Sequence, residues 1–425
     1  MKTSDSSDKI RIQRVKVLIQ LWNRSLAMWR LGFFFHEMAF GLLSVFLPLY
    51  VIAMGGSLVD IGIMSAVALF LVIPASFFWG YVCDKTRRYK RYILISFLAS
   101  TAFLYLFTLT KDVNLLIILY SVMSILHVAH EAPKNVLIAE LYSREDWERA
   151  FAFYEGFTEV GWLIGLLLGF FMSAYGFGPA TTLLTCAGLN LTAFVLSVIL
   201  VTDPLLVFER GLVGLERTID FTSRGVFLAS RLLDGISVSE RLKKENVGLF
   251  CGGLVLFSLA TSILFTPMPI FVSNIVSGAG LSASLVFAIF VLNSAGGVGG
   301  YFLAGSRSTR STGKTGVGRI VMFRSLLAFL LIAGLGMPSY NVILTTTILA
   351  LLGFANAVFL VYMLSLSMEL IPAGKAGVFN ALIGVGGAFG SFIGPFIAQT
   401  FGFLLVFAVA GVVFFSAYVA FKFFA

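Results

Sequence analysis

An all-α membrane protein of twelve spanning helices, built as two six-helix halves related by a pseudo-two-fold axis, is the fold class predicted by three features of the 425-residue sequence. Hydrophobic residues make up 59% of it and charged residues 12%, with 44 Phe, a balance that suits lipid better than water as the solvent. Turn and charge signals cut the chain into twelve apolar stretches, each close to the ~20 residues a helix needs to cross a bilayer. A glycine pattern also recurs at one constant offset: Val160-Gly161, Gly165 and Gly169 match Val385-Gly386, Gly390 and Gly394, with Pro395 following the second set. Such a match is expected of parallel repeats.

The stretches of the first half are 28–54, 59–82, 92–110, 113–140, 150–175 and 179–201, and those of the second are 247–276, 282–304, 320–337, 340–368, 377–400 and 404–424. The domains are then an N-terminal segment at 1–26, a half at 27–202, a linker at 203–245 and a half at 246–425. In the N-terminal segment apolar residues interleave with Lys9, Arg11, Arg14 and Lys16, which predicts an interfacial helix. In the linker Phe208, Leu212, Leu215 and Ile219 keep helical spacing among charged neighbours. So short a segment cannot bury the core of a soluble domain.

Basic residues crowd the N-terminal segment and the connections at 85–91, 210–244 and 307–319, whereas Lys111 is the one basic residue in the connections that alternate to the other side. That asymmetry predicts a multi-pass protein of the cell membrane with both termini cytoplasmic. The formal charge of +9 is accounted for by loops lying against anionic lipid head groups, with no nucleic acid partner. Cys83, Cys186 and Cys251 have neither metal-ligand nor redox spacing. The first apolar run begins near residue 28 and continues at spanning length, so no cleavable signal is expected.

Charge inside the apolar stretches is the chemical signal. His127, His130, Glu131 and Lys134 stand at i, i+3, i+4 and i+7 of the fourth stretch, which on a helix is one face. A charge at bilayer depth costs at least a few kcal/mol, so that face predicts a polar cavity. Pro133 should loosen the helix there and free carbonyls. The first stretch adds Arg30, His36 and Glu37. Arg30 lies near the cytoplasmic end and is expected to snorkel, whereas Glu37 is too deep for that and must carry a proton or pair with a cation. The fifth stretch adds Glu155 and Glu159 one turn apart, and Lys134 is expected either to reach the cavity or to pair with one of them. Zinc ligation by His127, His130 and Glu131 is conceivable at this spacing, but no wider metal motif accompanies it, and neither a metal nor a cofactor is expected. Gly161, Gly165 and Gly169 form a small-residue ridge expected to permit close helix contact and sliding between the halves. The second half has no His, Asp, Glu or Lys at clear mid-membrane depth, leaving Asn274, Asn293, Asn356 and Asn380 as its larger polar groups.

Leu47-Pro48-Leu49-Tyr50, Gly55-Gly56-Ser57, Asp60-Ile61-Gly62 and the run Gly80, three residues, Asp84-Lys85, then Arg87-Arg88-Tyr89-Lys90-Arg91 together resemble the major facilitator superfamily, over essentially the whole chain. Arg87 stands where that family usually has a second glycine. The resemblance implies transport by alternating access, with Gly80, Asp84, Lys85 and Arg88 in conformational gating. Asp84 would face the start of the eleventh helix, and Arg88 would pair with Glu140. Gly156, Gly165 and Gly169 are similar to a fifth-helix signature of drug and proton antiporters, with Phe170 in place of the proline. The expectation is a monomeric, proton-coupled exporter of amphipathic or hydrophobic small molecules. Glu37, Glu131, His127 and His130 would serve proton coupling, while His36, Lys134, Glu155, Glu159 and the four asparagines line the cavity. Proton symport of an organic anion, lipid translocation and a non-transporting sensor are the alternatives. No nucleophile and base pair points to an enzyme.

Overall fold

The computed structural model describes residues 28–141, 147–203, 247–306, 313–335, 341–370 and 376–424. The interfacial helix expected at 9–24 and the amphipathic linker helix expected at 208–219 lie outside them. Among the described residues twelve helices are long and apolar enough to cross a membrane, in the order expected. The spans alternate in direction, so one end of the bundle carries Lys85 to Arg91, hereafter the basic end, and the far end carries the turn at Gly55 and Gly56.

Local chemistry sets the helix ends. Ser57 and Asp60 form a capping box at the start of the second helix, Leu58–Thr86, with the Asp60 carboxylate accepting from the Ser57 backbone N–H at 2.7 Å. The preceding chain reversal needs a left-handed residue, and Gly55 supplies it at φ 90°. The second helix runs four residues past the expected 82, which puts Asp84 and Lys85 in its last turn rather than in a loop. The ninth span belongs to the helix Gly313–Leu335, which begins seven residues before the expected 320. Two spans are broken. The seventh is divided into Val247–Phe265 and Met268–Gly278 at Pro267, and the fourth into Val113–His127 and Glu131–Leu141 by a tight turn at Val128–His130. In both a proline supplies no N–H to the helical ladder.

Glycine ridges bring helices together within each half. A methyl group added at Gly161 would lie 2.6 Å from the Phe34 carbonyl oxygen, and one at Gly165 would collide with the backbone of Met38. Gly386, Gly390 and Gly394 meet the seventh-span backbone at Val255, Leu259 and Ile263 in the same manner. The first and fifth spans are thus packed as the seventh and eleventh are, and the ridges serve contact inside a half. Sliding between halves is not their role, because a backbone-to-backbone contact this close leaves no room to translate; Gly169 alone reaches across, to Phe287. Gly296 and Gly300 of the eighth span, unremarked in the sequence, do the same against Ala350 and Phe354.

Two antiparallel contacts join the halves. The second span meets the eleventh at Val59 with Gln399, Gly62 with Pro395, Leu69 with Gly387 and Ile73 with Gly384. The fifth meets the eighth at Gly169 with Phe287, Glu159 with Gly297, Gly156 with Tyr301 and Ala152 with Gly305. The main apolar core fills the second half and continues into the far end of the first, through Val45, Leu47, Val51, Ile61 and Phe107. Around Trp29, Phe33 and Tyr154, and around Cys83, Tyr89 and Tyr92, the basic end of the first half has cores of its own.

Candidate functional site

Pro133 leaves the Ala129 carbonyl without a helical donor, and the backbone tightens into the turn at Val128–His130. The His127 carbonyl there takes two side-chain donors instead, the Ser96 hydroxyl at 2.6 Å and His130 Nδ1 at 2.6 Å. Tightening the turn advances the residues after it around the helix axis, so the face expected to carry four side chains is divided. His130 points into the first half, 1% exposed, and its ring lies 4.8 Å from that of His127 and 5.0 Å from that of His36. Fully buried His36 also lies 4.9 Å from His127, stacked, with Phe97 and Phe40 against it. Its Nδ1 is 2.6 Å from Asn190 Oδ1 on the sixth span.

Glu131 and Lys134 lie on the other side of the break. Lys134 Nζ is 2.7 Å from Glu131 Oε2 and 3.7 Å from Glu155 Oε1, and it sits 5.6 Å from the Tyr154 ring centre. The lysine is 12% exposed, while the two carboxylate side chains are 38% and 37% exposed. One cation therefore serves two carboxylates that remain open to water. Lys134 closes an ion pair with Glu155 and Glu131, and Glu159 is engaged elsewhere: its Oε1 accepts from Ser294 of the eighth span at 2.6 Å, across the boundary between the halves. Half-buried Glu37 is within electrostatic reach of Lys134, Glu155, Glu131 and Glu159. Arg30 does not snorkel. It is 7% exposed and held 5.0 Å from the Phe153 ring centre, because the fifth span covers it before it can reach the bundle end.

The second half holds a charge that the sequence reading missed. Arg324 of the ninth span is fully buried, donating to Asn356 and to Thr261 Oγ1 at 3.3 Å, with its guanidinium 4.7 Å and 4.9 Å from the ring centres of Phe257 and Phe414. Asn356 is thus committed to Arg324, and Asn293 donates to the Leu349 carbonyl at 2.6 Å, tying the eighth span to the tenth. Each amide thus has one of its two polar groups held by a neighbouring helix, as expected of a donor or acceptor in lipid. Asn274 is exposed on the far segment of the seventh span, and the Asn380 side chain lies outside the described residues.

Of the gating residues, Gly80 has no described residue within 4 Å of a methyl group added there. The register of the second and eleventh spans, continued from Ile73 and Gly384, would set Gly80 opposite Gly377. Asp84 and Lys85 are exposed, with Lys85 Nζ 5.8 Å from the Tyr81 ring centre. The expected partner of Asp84 near 374 and the Glu140 side chain lie outside the described residues. Arg88 precedes the third helix and lines a groove of about 400 Å³ with Lys90, Arg91 and Asp203.

The comparisons with known proteins follow the same outline. No curated protein matches the sequence. Among solved structures, the nucleoside transporter NupG superposes with a TM-score of 0.69 at 13% identity, covering 94% of this chain and 98% of that one. The human organic anion transporter MFSD10 (TETRAN) superposes with a TM-score of 0.64 at 16% identity, covering 94% and 99%. At such identities the likeness is one of fold. The model of the Major Facilitator Superfamily matches residues 31–384, a stretch that reaches into both halves and takes in His36, Glu37, the His127 to Lys134 group, Glu155, Glu159 and Arg324, and the chain belongs to that superfamily of transporters.

Proposed function

We propose that this transporter is proton-coupled and exports an amphipathic or hydrophobic small molecule across the cell membrane, with both termini in the cytoplasm. The observation that carries the reading is the Glu131, Lys134 and Glu155 cluster beside the contact between halves, with Glu37 and Glu159 around it. Lys134 is shared between two of these carboxylates, and a carboxylate at this depth without a cation of its own is neutralised by taking up a proton. Glu37 and Glu131 are the carboxylates we propose to exchange the proton, within a cluster whose titrations are coupled. Glu159, bound to Ser294, would relay occupancy of the first half to the second. The apolar walls and the absence of any second carboxylate cluster among the described residues favour a substrate recognised by surface rather than by charge.

A second reading, proton symport of an organic anion, is favoured by one observation: among the described residues the buried Arg324 has no carboxylate partner. Proteoliposomes with an imposed pH gradient, challenged with cationic, neutral and anionic amphiphiles, distinguish the two. Export predicts substrate-dependent proton flux opposite to substrate movement, lost in Glu37→Gln or Glu131→Gln. Flux in the same direction with an anionic substrate selects the second reading. Wild-type coupling in both variants would sink the proton-site assignment.

A further inference from the structure

We propose that His36, His127 and His130 bind one divalent transition-metal cation of the zinc class inside the first half. The proposal goes beyond the transport reading and does not depend on it. These are all three histidines of the chain, and one candidate ligand nitrogen from each lies within 4.8 Å of the others. Spacing along the fourth span allowed only a set of His127, His130 and Glu131, because His36, which completes the cluster, enters from another span.

Hydrogen bonds fix which nitrogens are available. Asn190 Nδ2 donates to the Cys186 carbonyl at 3.1 Å, so its Oδ1 faces His36 and accepts from His36 Nδ1 at 2.6 Å. That leaves a lone pair on His36 Nε2, which is buried and has no partner among the described residues. The His127 carbonyl can only accept, so the 2.6 Å contact makes His130 Nδ1 the donor and puts the lone pair on His130 Nε2. That nitrogen lies 3.2 Å from Glu131 Oε1, a contact that either a proton or a metal ion on the ring nitrogen would satisfy. The buried Nδ1 of His127 is likewise without a partner. Packing against Phe33, Phe40 and Phe97 explains why the rings are close. It does not explain why two buried nitrogens are unsatisfied and a third faces a carboxylate.

The surroundings match those of ligating histidines, whose other ring nitrogen donates to an amide, carbonyl or carboxylate that sets the tautomer. Three imidazoles select zinc, copper, nickel or iron over magnesium or calcium, which prefer oxygen. Zinc–nitrogen bonds of about 2.0–2.1 Å require donor atoms less than ~4 Å apart, so the rings would draw in slightly on binding. Glu131, open to water on one side, marks the entry path, and water would complete a coordination of three imidazoles.

The test uses the full chain in detergent, stripped of metal and titrated with Co²⁺. One equivalent should bind with the intense visible bands of a tetrahedral site and be displaced by Zn²⁺. His36→Gln, His127→Gln and His130→Gln should each abolish those bands. Asn190→Ala keeps every ligand, so it answers if a histidine variant fails to fold; it should weaken binding by about 10- to 100-fold. An octahedral spectrum, no saturable binding, or wild-type affinity in Asn190→Ala and any folded histidine variant would overturn the proposal.

Discussion

Arg87 caps the second helix at φ 52° and ψ 29°, a conformation that costs an L-residue roughly 1–2 kcal/mol. Glycine takes it freely but loses more entropy on folding, so Arg87→Gly should stabilise by only about 0.5 kcal/mol, read as a small rise in thermal midpoint. Lys134 carries the opposite risk. Lys134→Met leaves Glu131 and Glu155 facing each other, and since both are more than a third exposed, the loss should be about 1–3 kcal/mol rather than the larger cost of a dry pair. A Lys134→Met, Glu155→Gln double variant should recover part of it; equal stability of single and double variants would show that the carboxylates do not interact. At this scale the sequence was readable wherever charge stood deep in an apolar run, as for His127, His130, Glu131 and Lys134. Arg324 was hidden by a boundary. A span starting at 320 puts it by the membrane surface, whereas the helix starts at Gly313 and places it about 16 Å along the axis. Asn190 and Ser96 were hidden differently, since nothing local marks a polar residue whose partner is on another span.

Among the elements, glycines of similar appearance in the sequence have different work. Gly165→Ala forces a methyl group into the Met38 backbone and should cost about 1–3 kcal/mol and lower yield of folded protein. Gly80→Ala meets open space and should leave stability unchanged, yet it should slow transport if the second and eleventh spans close upon each other in another state. Unchanged transport would show that they never approach at this level. The glycine ridges and the internal repeat were legible because spacing along one helix is a local property. The partners of the ridges were not, because either neighbour of a span could fill the groove. The break in the fourth span was signalled by Pro133, but its consequence, two faces instead of one, follows from where the turn tightens.

For the whole molecule, the fold class, the count of spans and the two halves came from composition, length and repetition, which depend on the solvent and not on detailed packing. What the sequence could not supply is the state. Val59 and Gln399 are joined by a 3.0 Å hydrogen bond at the far end, while among the described residues Gly80 has no neighbour towards the basic end. A Val59→Cys, Gln399→Cys pair should therefore cross-link readily without substrate and halt transport. A Gly80→Cys, Gly377→Cys pair should cross-link only when turnover brings the basic ends together. Equal cross-linking of both pairs at rest would show that the two ends are equally close in the resting state.

That joined far end has a mechanical consequence. Val59 and Asp84 stand 25 residues apart on one helix, an arm of roughly 38 Å at 1.5 Å per residue. A rotation of about 10° at the fulcrum carries the tip of that arm some ~7 Å. Small adjustments around a bound solute near the waist are thus magnified into the width of a portal, with the helices themselves remaining stiff.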